Sequence, residues 1–377
     1  MSILVDPKYN LVKEKYHHIV LDGSGYEAGR QLAEILNKDP NTKKSISSAK
    51  LDPKKLGFAD WDALQGNCEE CCPGINEEIQ GFADGLEISP DKVPFWHWTY
   101  SSSLGGNCSQ LAVLPSVTNN HHIYAGRSYE WNHKDEDLKL FTSRVRGKAS
   151  HIGFSCLLFG RHDGLNEHGL LVSMTGGGIF GVQFKHRGPM FWLVIRSLLD
   201  WCTSVDNALE RLESIPIAGF FSLMLVDKQG NAAIVEFADG EMSVKRTADA
   251  DPEPYVFSLN HYRQPKTRKF NKLNCGIITH SQIRETLITK WYKTQAQEIN
   301  KKSIQVLFAT KHPEGLCNHF YNEGFGTLWS MIFDVTQSSV DVCFSAPTHN
   351  EYHSFGLDDP QGITEYPTII PITLNRL

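Results

Sequence analysis

The stretch 104-LGGNCSQLAV-113 places one cysteine after two glycines and at the head of an apolar run. Glycines tolerate backbone conformations that other residues resist. A thiol in that position can attack the carbonyl of Asn107, the residue before it. Such an N-to-S acyl shift, followed by hydrolysis, cuts the chain before Cys108. The new terminus carries a thiol with an ordinary pKa of about 8.5 and an α-amine of about 7.7–8.0. The amine is then partly neutral near neutral pH and can take the thiol proton, so one residue supplies nucleophile and base. Taken alone, the same letters also fit an ordinary strand cysteine.

Companions follow in 126-GRSYEW-131. Arg127 stands 19 residues and Glu130 22 residues after Cys108, within reach if the two segments pair as a hairpin. An arginine beside a thiol favours the thiolate, and a carboxylate near the amine orients it. Residues three apart face opposite sides of a regular strand, so both reach the cysteine only if a bulge or turn intervenes. The plainer reading of the pair is a salt bridge at a strand end.

Around this centre the chain changes character. Before Cys108 it reads as mostly helical, with helices over 26–37 and 75–86, a short strand at 18–21, and a polar loop over 38–55. From Cys108 onward the pattern has period two. Strands are expected at 109–114, 122–125, 138–144, 151–159, 170–174, 222–226, 232–237, 255–259, 327–334 and 339–344. Residues 118–122 read as a hairpin loop. Helices are expected over 190–201, 205–215 and 281–297, with another starting near Ser303. The tail from Pro347 reads as Pro-rich and irregular. Strands in hairpin order between helices imply α+β layers and not a doubly wound parallel sheet. The run 176-GGGIFG-181 satisfies the dinucleotide glycine pattern, but no helix opens at its third glycine, as that motif requires. It reads instead as a substrate-side loop whose Ile179 and Phe180 line a pocket or cover the core.

The 377 residues are 41% hydrophobic and 21% charged, which excludes a disordered chain. A formal charge of −6 and no basic face argue against a nucleic-acid or anionic-membrane binder. The first residues lack the pattern of a secretory signal. The longest apolar run is broken by Arg196 and Asp200, so no membrane span is expected. These features point to a cytoplasmic protein. Nine irregularly spaced cysteines do not form a disulfide framework. Cys68, Cys71 and Cys72 lack the second ligand pair that zinc requires. No metal or cofactor is expected.

Cysteine, hairpin, then G-R-x-x-[D/E]-W resembles the cysteine N-terminal-nucleophile (Ntn) hydrolases. The nearest branch is the acyl-coenzyme A:6-aminopenicillanic acid acyltransferase-like (isopenicillin N acyltransferase-like) peptidase family. The choloylglycine hydrolase and penicillin V acylase group, and acid ceramidase with N-acylethanolamine acid amidase, are more distant. The stretches 25-GYEAG-29, 77-EEIQGFADGLEIS-89, 164-GLNEHGLLVSMTGGG-178 and 194-VIRSLLDWCTSVDNALERLESI-215 are similar to the family's patterns, as are 260-NHY-262, 281-SQIR-284 and 327-TLWSMIFD-334. The resemblance implies a four-layer αββα sandwich of two antiparallel sheets. It makes Cys108 the exposed nucleophile after cleavage at Asn107–Cys108. Arg127 would lie against the thiolate, Glu130 would bind the α-amine, and Asn260 would donate its amide to the oxyanion. Thr175 would help through backbone groups, and Arg284 would orient Glu130 or the substrate.

The products would be a helical segment of residues 1–107, retained after the cut, and a chain of residues 108–377 carrying the catalytic core of one integrated domain. The implied reaction is hydrolysis of a linear non-peptide amide on a small molecule through a thioester. Acyl transfer from acyl-coenzyme A to an amine is the alternative, and a catalytically silent binding protein on the same fold is the reading from another class. A papain-like protease would need a C-G-x-C-W context that is absent. A homodimer is the default assembly. Three departures stand out: Glu130 where the family often has Asp, a longer hairpin, and Asn107 where some relatives have Gly.

Overall fold

Strands buried on both sides, such as Asn107–Val113, Phe220–Val226 and Ala232–Ala238, build two sheets that pack face to face. The computed structural model describes residues 9–38, 52–101, 107–179, 182, 186–247, 253–274, 276–295 and 298–374. Among them, a ten-stranded sheet runs in the order 241–246, 232–238, 220–226, 171–176, 163–166, 151–156, 139–145, 9–23, 362–373, with the short strand 160–161 attached to 151–156. A seven-stranded sheet runs 255–258, 107–113, 124–131, 325–334, 339–344, 352–355, with 319–320 attached to 325–334. Pairing is antiparallel except for one parallel pair, between Tyr9–Gly23 and Lys139–Val145.

Helices close both outer faces. Helix Ile75–Leu86 buries the stripe Ile75, Ile79, Phe82 and Leu86. It packs with Gly25–Leu36 and, through Phe82 against Phe159, over the larger sheet. Gly25–Leu36 starts on a capping box between Ser24 and Glu27. Phe191–Trp201 lies in the same layer and is buried at every position from Phe191 to Asp200. On the other side, Lys301–Ala309 presses Ile304, Leu307 and Phe308 onto Leu111, Val113, Tyr124 and Ile332 of the smaller sheet. The expected α+β sandwich of four layers is the observed one.

Three expectations from sequence are corrected. The N-terminal strand spans Tyr9–Gly23 and not four residues. The tail is not irregular: Gly362–Thr373 forms a twelve-residue strand that pairs with Tyr9–Gly23 along its length. Pro367 and Pro371 suggested an irregular tail, but they sit on the sheet's edge strand, where a missing N–H breaks no ladder. The strand expected at 122–125 reaches Trp131, because Arg127, Ser128 and Glu130 are buried polar residues that mask the apolar alternation. Most of the 38–55 loop, and Phe180, lie outside the described residues. No helix among the described residues is long and apolar enough to cross a membrane, and none of their His, Cys, Asp and Glu side chains group in threes to hold a metal.

Candidate active site

Cys108 is the second residue of strand Asn107–Val113, which pairs with Tyr124–Trp131 in unbroken register. Asn107 stands opposite Glu130, Cys108 opposite Tyr129, and Gln110 opposite Arg127. No bulge intervenes on this pair, so strand alternation splits the expected residues between the two faces. Cys108, Gln110, Arg127 and Tyr129 point toward the larger sheet. Asn107, Ser109, Ser128 and Glu130 point toward helix Ile278–Gln295.

On the first face the thiol is fully buried. Burial pushes its pKa up. The Arg127 guanidinium and the backbone N–H of Gly176, both lying against the sulfur, pull it back down. Arg127 is held from the larger sheet: its Nε donates to Asp163 at 2.5 Å, and its Nη1 donates to the carbonyl of Met174. Asp163 also accepts from the Phe154 N–H at 3.0 Å and from Trp329 Nε1 at 3.1 Å. Thr175, between Met174 and Gly176, shares a hydrogen bond with Ser258 at 2.8 Å. Gly178 has a φ of 70°, and a Cβ there would meet the Asn260 carbonyl at 2.7 Å, so the glycine run lets this loop close on the site. Ile179 is buried with Phe220, Ala238 and Tyr262 in a small core.

On the second face Arg284 is fully buried and gathers four oxygens. Nη1 donates to Cys108 O at 2.5 Å and Ser109 Oγ at 2.9 Å; Nη2 donates to Asn107 Oδ1 at 2.5 Å and Asn260 Oδ1 at 2.7 Å. Burial draws its pKa down to about 10, against the opposing pull of Glu130 and Cys108. Burial pushes Glu130 up to about 7, while Arg284, Ser128, Arg127 and Asn318 favour its charged form. Asn260 bridges the two faces. Its Oδ1 accepts from the Cys108 N–H at 2.9 Å and its Nδ2 donates to Gly176 O at 2.9 Å. The Asn260 side chain therefore holds the nitrogen of the Asn107–Cys108 peptide bond, and its amide group is aimed at the Gly176 carbonyl.

Behind Asn260 runs a relay that sequence reasoning did not single out. The Asn260 N–H donates to Ser281 Oγ at 2.9 Å, Ser281 Oγ meets His261 Nδ1 at 2.7 Å, and His261 Nε2 meets Glu285 at 2.9 Å. Ser281, Arg284 and Glu285 share one helix face by their spacing. A cavity of about 860 Å³, lined by residues including His261, Arg263, Arg268, Gln282 and Glu285, opens beside this relay; Cys108, Arg127 and Glu130 are not among its lining residues. Asp163 was the other residue missed, although it directly precedes the quoted 164-GLN-166.

The structure thus brings Cys108, Arg127, Glu130, Asn260 and Arg284 together around one peptide bond, with Thr175 one residue from the Gly176 N–H. Among solved structures, penicillin V acylase from Agrobacterium tumefaciens is similar at 15% identity, with a TM-score of 0.45, over 68% of this chain and 90% of that one. A mutant conjugated bile acid hydrolase from Clostridium perfringens is similar at 12% identity, with a TM-score of 0.43, over 72% of this chain and 99% of that one. No curated protein matches the chain. The profile of one family, acyl-coenzyme A:6-aminopenicillanic acid acyl-transferase, matches residues 117–349. That is well over half of the sequence, beginning just past the strand that bears Cys108, and the chain belongs to this family.

Proposed function

We propose that the protein is a cysteine amidase that activates itself by cutting its chain between Asn107 and Cys108. The observation that carries this reading is the double grip on Cys108. Its sulfur lies against Arg127 and the Gly176 N–H, while its backbone nitrogen rests on Asn260 Oδ1. In the first step the thiol adds to the Asn107 carbonyl and the Cys108 nitrogen leaves, giving a thioester. Water resolves it to a carboxylate on Asn107 and a free α-amine on Cys108.

In each later turnover that amine takes the thiol proton and Arg127 steadies the thiolate. Sulfur adds to the acyl carbonyl of a small-molecule amide. Once the Cys108 nitrogen is no longer a peptide N–H, Asn260 can turn toward the oxyanion. One such donor is worth about 2.7–4 kcal/mol. The amine protonates the leaving nitrogen, and water releases the acid. Membership in an acyltransferase family supports a second reading, in which an amine and not water takes the acyl group from the same thioester. Hydrolysis is preferred because water is always at hand.

Intact-mass measurement tests the reading. The wild type is expected as two chains, 1–107 and 108–377, and Cys108→Ala as one. A wild type that hydrolyses amides while remaining uncut sinks it. Supplying an acyl amide with a free acceptor amine then separates hydrolysis from transfer, and a dominant transfer product reverses the preference for water.

A further inference from the structure

The first acyl group that Cys108 would carry is supplied by the chain itself. On the reading proposed above, Asn107 is the acyl half of the amide the thiol attacks. Every later substrate puts its acyl carbon on the same sulfur, so its acyl substituents must use the space that Asn107 fills first. That space is built in detail. Asn107 is buried, and its side-chain oxygen sits 2.5 Å from Nη2 of the fully buried Arg284. Around the same guanidinium stand Glu130, Asn318 and His280, with the His312 ring 4.2 Å from that of His280. Asn318 pairs with both Glu130 and His280, Ser128 stands beside Glu130, and Nε of Arg284 is buried without a hydrogen-bond partner. A buried donor left unpaired is uncommon in folded chains and marks a place for water or a ligand.

When Asn107 withdraws as a new chain end, Nη2 of Arg284 loses one of its two acceptors. A buried charged donor left short of a partner is costly. An acyl group with an oxygen at the same distance from its carbonyl restores the bond. A hydrocarbon tail of equal size restores nothing at Nη2. Sites built to hydrogen-bond a substrate reject analogues that lack the group.

We infer that the enzyme takes amides whose acyl group carries an acceptor oxygen on the fourth carbon, the carboxamide of an asparaginyl or succinamoyl group being the form the chain itself displays. The reaction is that of the proposed amidase. The substrate C–N bond breaks as the C–S bond forms, the thiol proton passes through the Cys108 amine to the departing nitrogen, and water then cleaves the thioester to the free acid and thiol.

The cut, purified chain tests this with amides of a single leaving group, para-nitroaniline. The succinamoyl amide is compared with the isocaproyl amide, in which a branched hydrocarbon replaces the carboxamide at equal size, and with unbranched acyl chains from acetyl to octanoyl. The expected result is a kcat/KM at least about ten-fold higher for succinamoyl than for isocaproyl. In Arg284→Met that ratio should fall to about one. Independently of that variant, succinamide should compete with substrate in the wild type and isocaproamide should not. A preference for isocaproyl or octanoyl amides overturns the inference and leaves the amidase intact. Failure of the cut chain to hydrolyse any of the amides overturns the amidase reading, and this one with it.

Discussion

Glu130 is a fully buried carboxyl group, and that makes it a pH-sensitive point in the fold. Its folded pKa of about 7 lies above the ordinary 4.5, with burial as the main cause. The native chain therefore binds a proton that the unfolded chain has already released. The stability this proton confers is present below the ordinary pKa and is lost as pH rises through the folded one. In the uncut Cys108→Ala chain, Glu130 should lower stability by roughly 3 kcal/mol between about pH 4.5 and 7. In Glu130→Gln that decline should vanish, as read by urea unfolding at several pH values. A decline of unchanged size would mean that the carboxyl is not buried as described. At Arg127 the electrostatics concern the thiol. Removing the cation alone would strand Asp163 as an unpaired buried charge, so the test pairs Arg127→Met with Asp163→Asn. The midpoint of Cys108 alkylation in the cut chain should then move to higher pH by about one unit or more. An unmoved midpoint would show that the guanidinium does not tune the sulfur.

At the scale of elements, helix Ile278–Gln295 departs from the usual amphipathic rule. Its buried residues include Ser281 and Arg284 beside Ile288, so the face it offers the sheet is largely polar. That face holds the Asn260 loop in place. The hydrogen-bond directions are coherent: Asn260 N–H to Ser281 Oγ, Ser281 O–H to His261 Nδ1, and His261 Nε2–H to Glu285. Ser281→Ala leaves the Asn260 N–H without its acceptor. It should lower kcat about ten-fold with little change in KM, the loss of one buried hydrogen bond. His261→Asn places a polar atom where Nδ1 stood and should keep most of the activity; His261→Gln reproduces the other nitrogen and should not. Equal loss in both variants would argue that the histidine merely fills space. The same scale explains the edge strand Gly362–Thr373. Its prolines are tolerated because its outer side pairs with nothing among the described strands.

For the whole molecule, the proposed cut would divide the sandwich without separating it. Residues before Cys108 contribute strand Tyr9–Gly23, which lies between two strands from after the cut, 139–145 and 362–373. They also contribute Glu78, which meets the buried Arg196 at 2.7 Å, and Cys72, beside Asp200. Arg196 binds Asp200 as well, at 2.8 Å, and Lys148 and His151 crowd the same carboxylate. Arg196→Met should destabilise the fold by about 3–5 kcal/mol, because it leaves two buried carboxylates short of their partner. Adding Glu78→Gln should recover part of that loss. Urea unfolding of the cut protein, followed by size-exclusion detection of free 1–107, reads both effects. A double variant less stable than Arg196→Met would refute the pairing.

Local sequence determined most of the central elements and the chemistry-bearing stretches. The period-two runs after Cys108, the apolar stripe from Ile75 to Leu86 and the Met190–Trp201 run each carry their structure in adjacent letters. The cysteine, arginine and glutamate likewise announce themselves in two short motifs. Tertiary structure decided which face each residue serves. Only the unbroken register of Asn107–Val113 on Tyr124–Trp131 shows that Arg127 sides with the sulfur while Glu130 sides with Asn107 and Arg284. Asp163, Ser281 and Glu285 could not be read beforehand, because their meaning lies in partners far along the chain, such as Arg127 for Asp163, 36 positions away. The long N- and C-terminal strands stayed hidden for the same reason. Their pairing partners lie at opposite ends of the sequence, and a hydrogen-bonded ladder between distant segments leaves no periodic trace in either one.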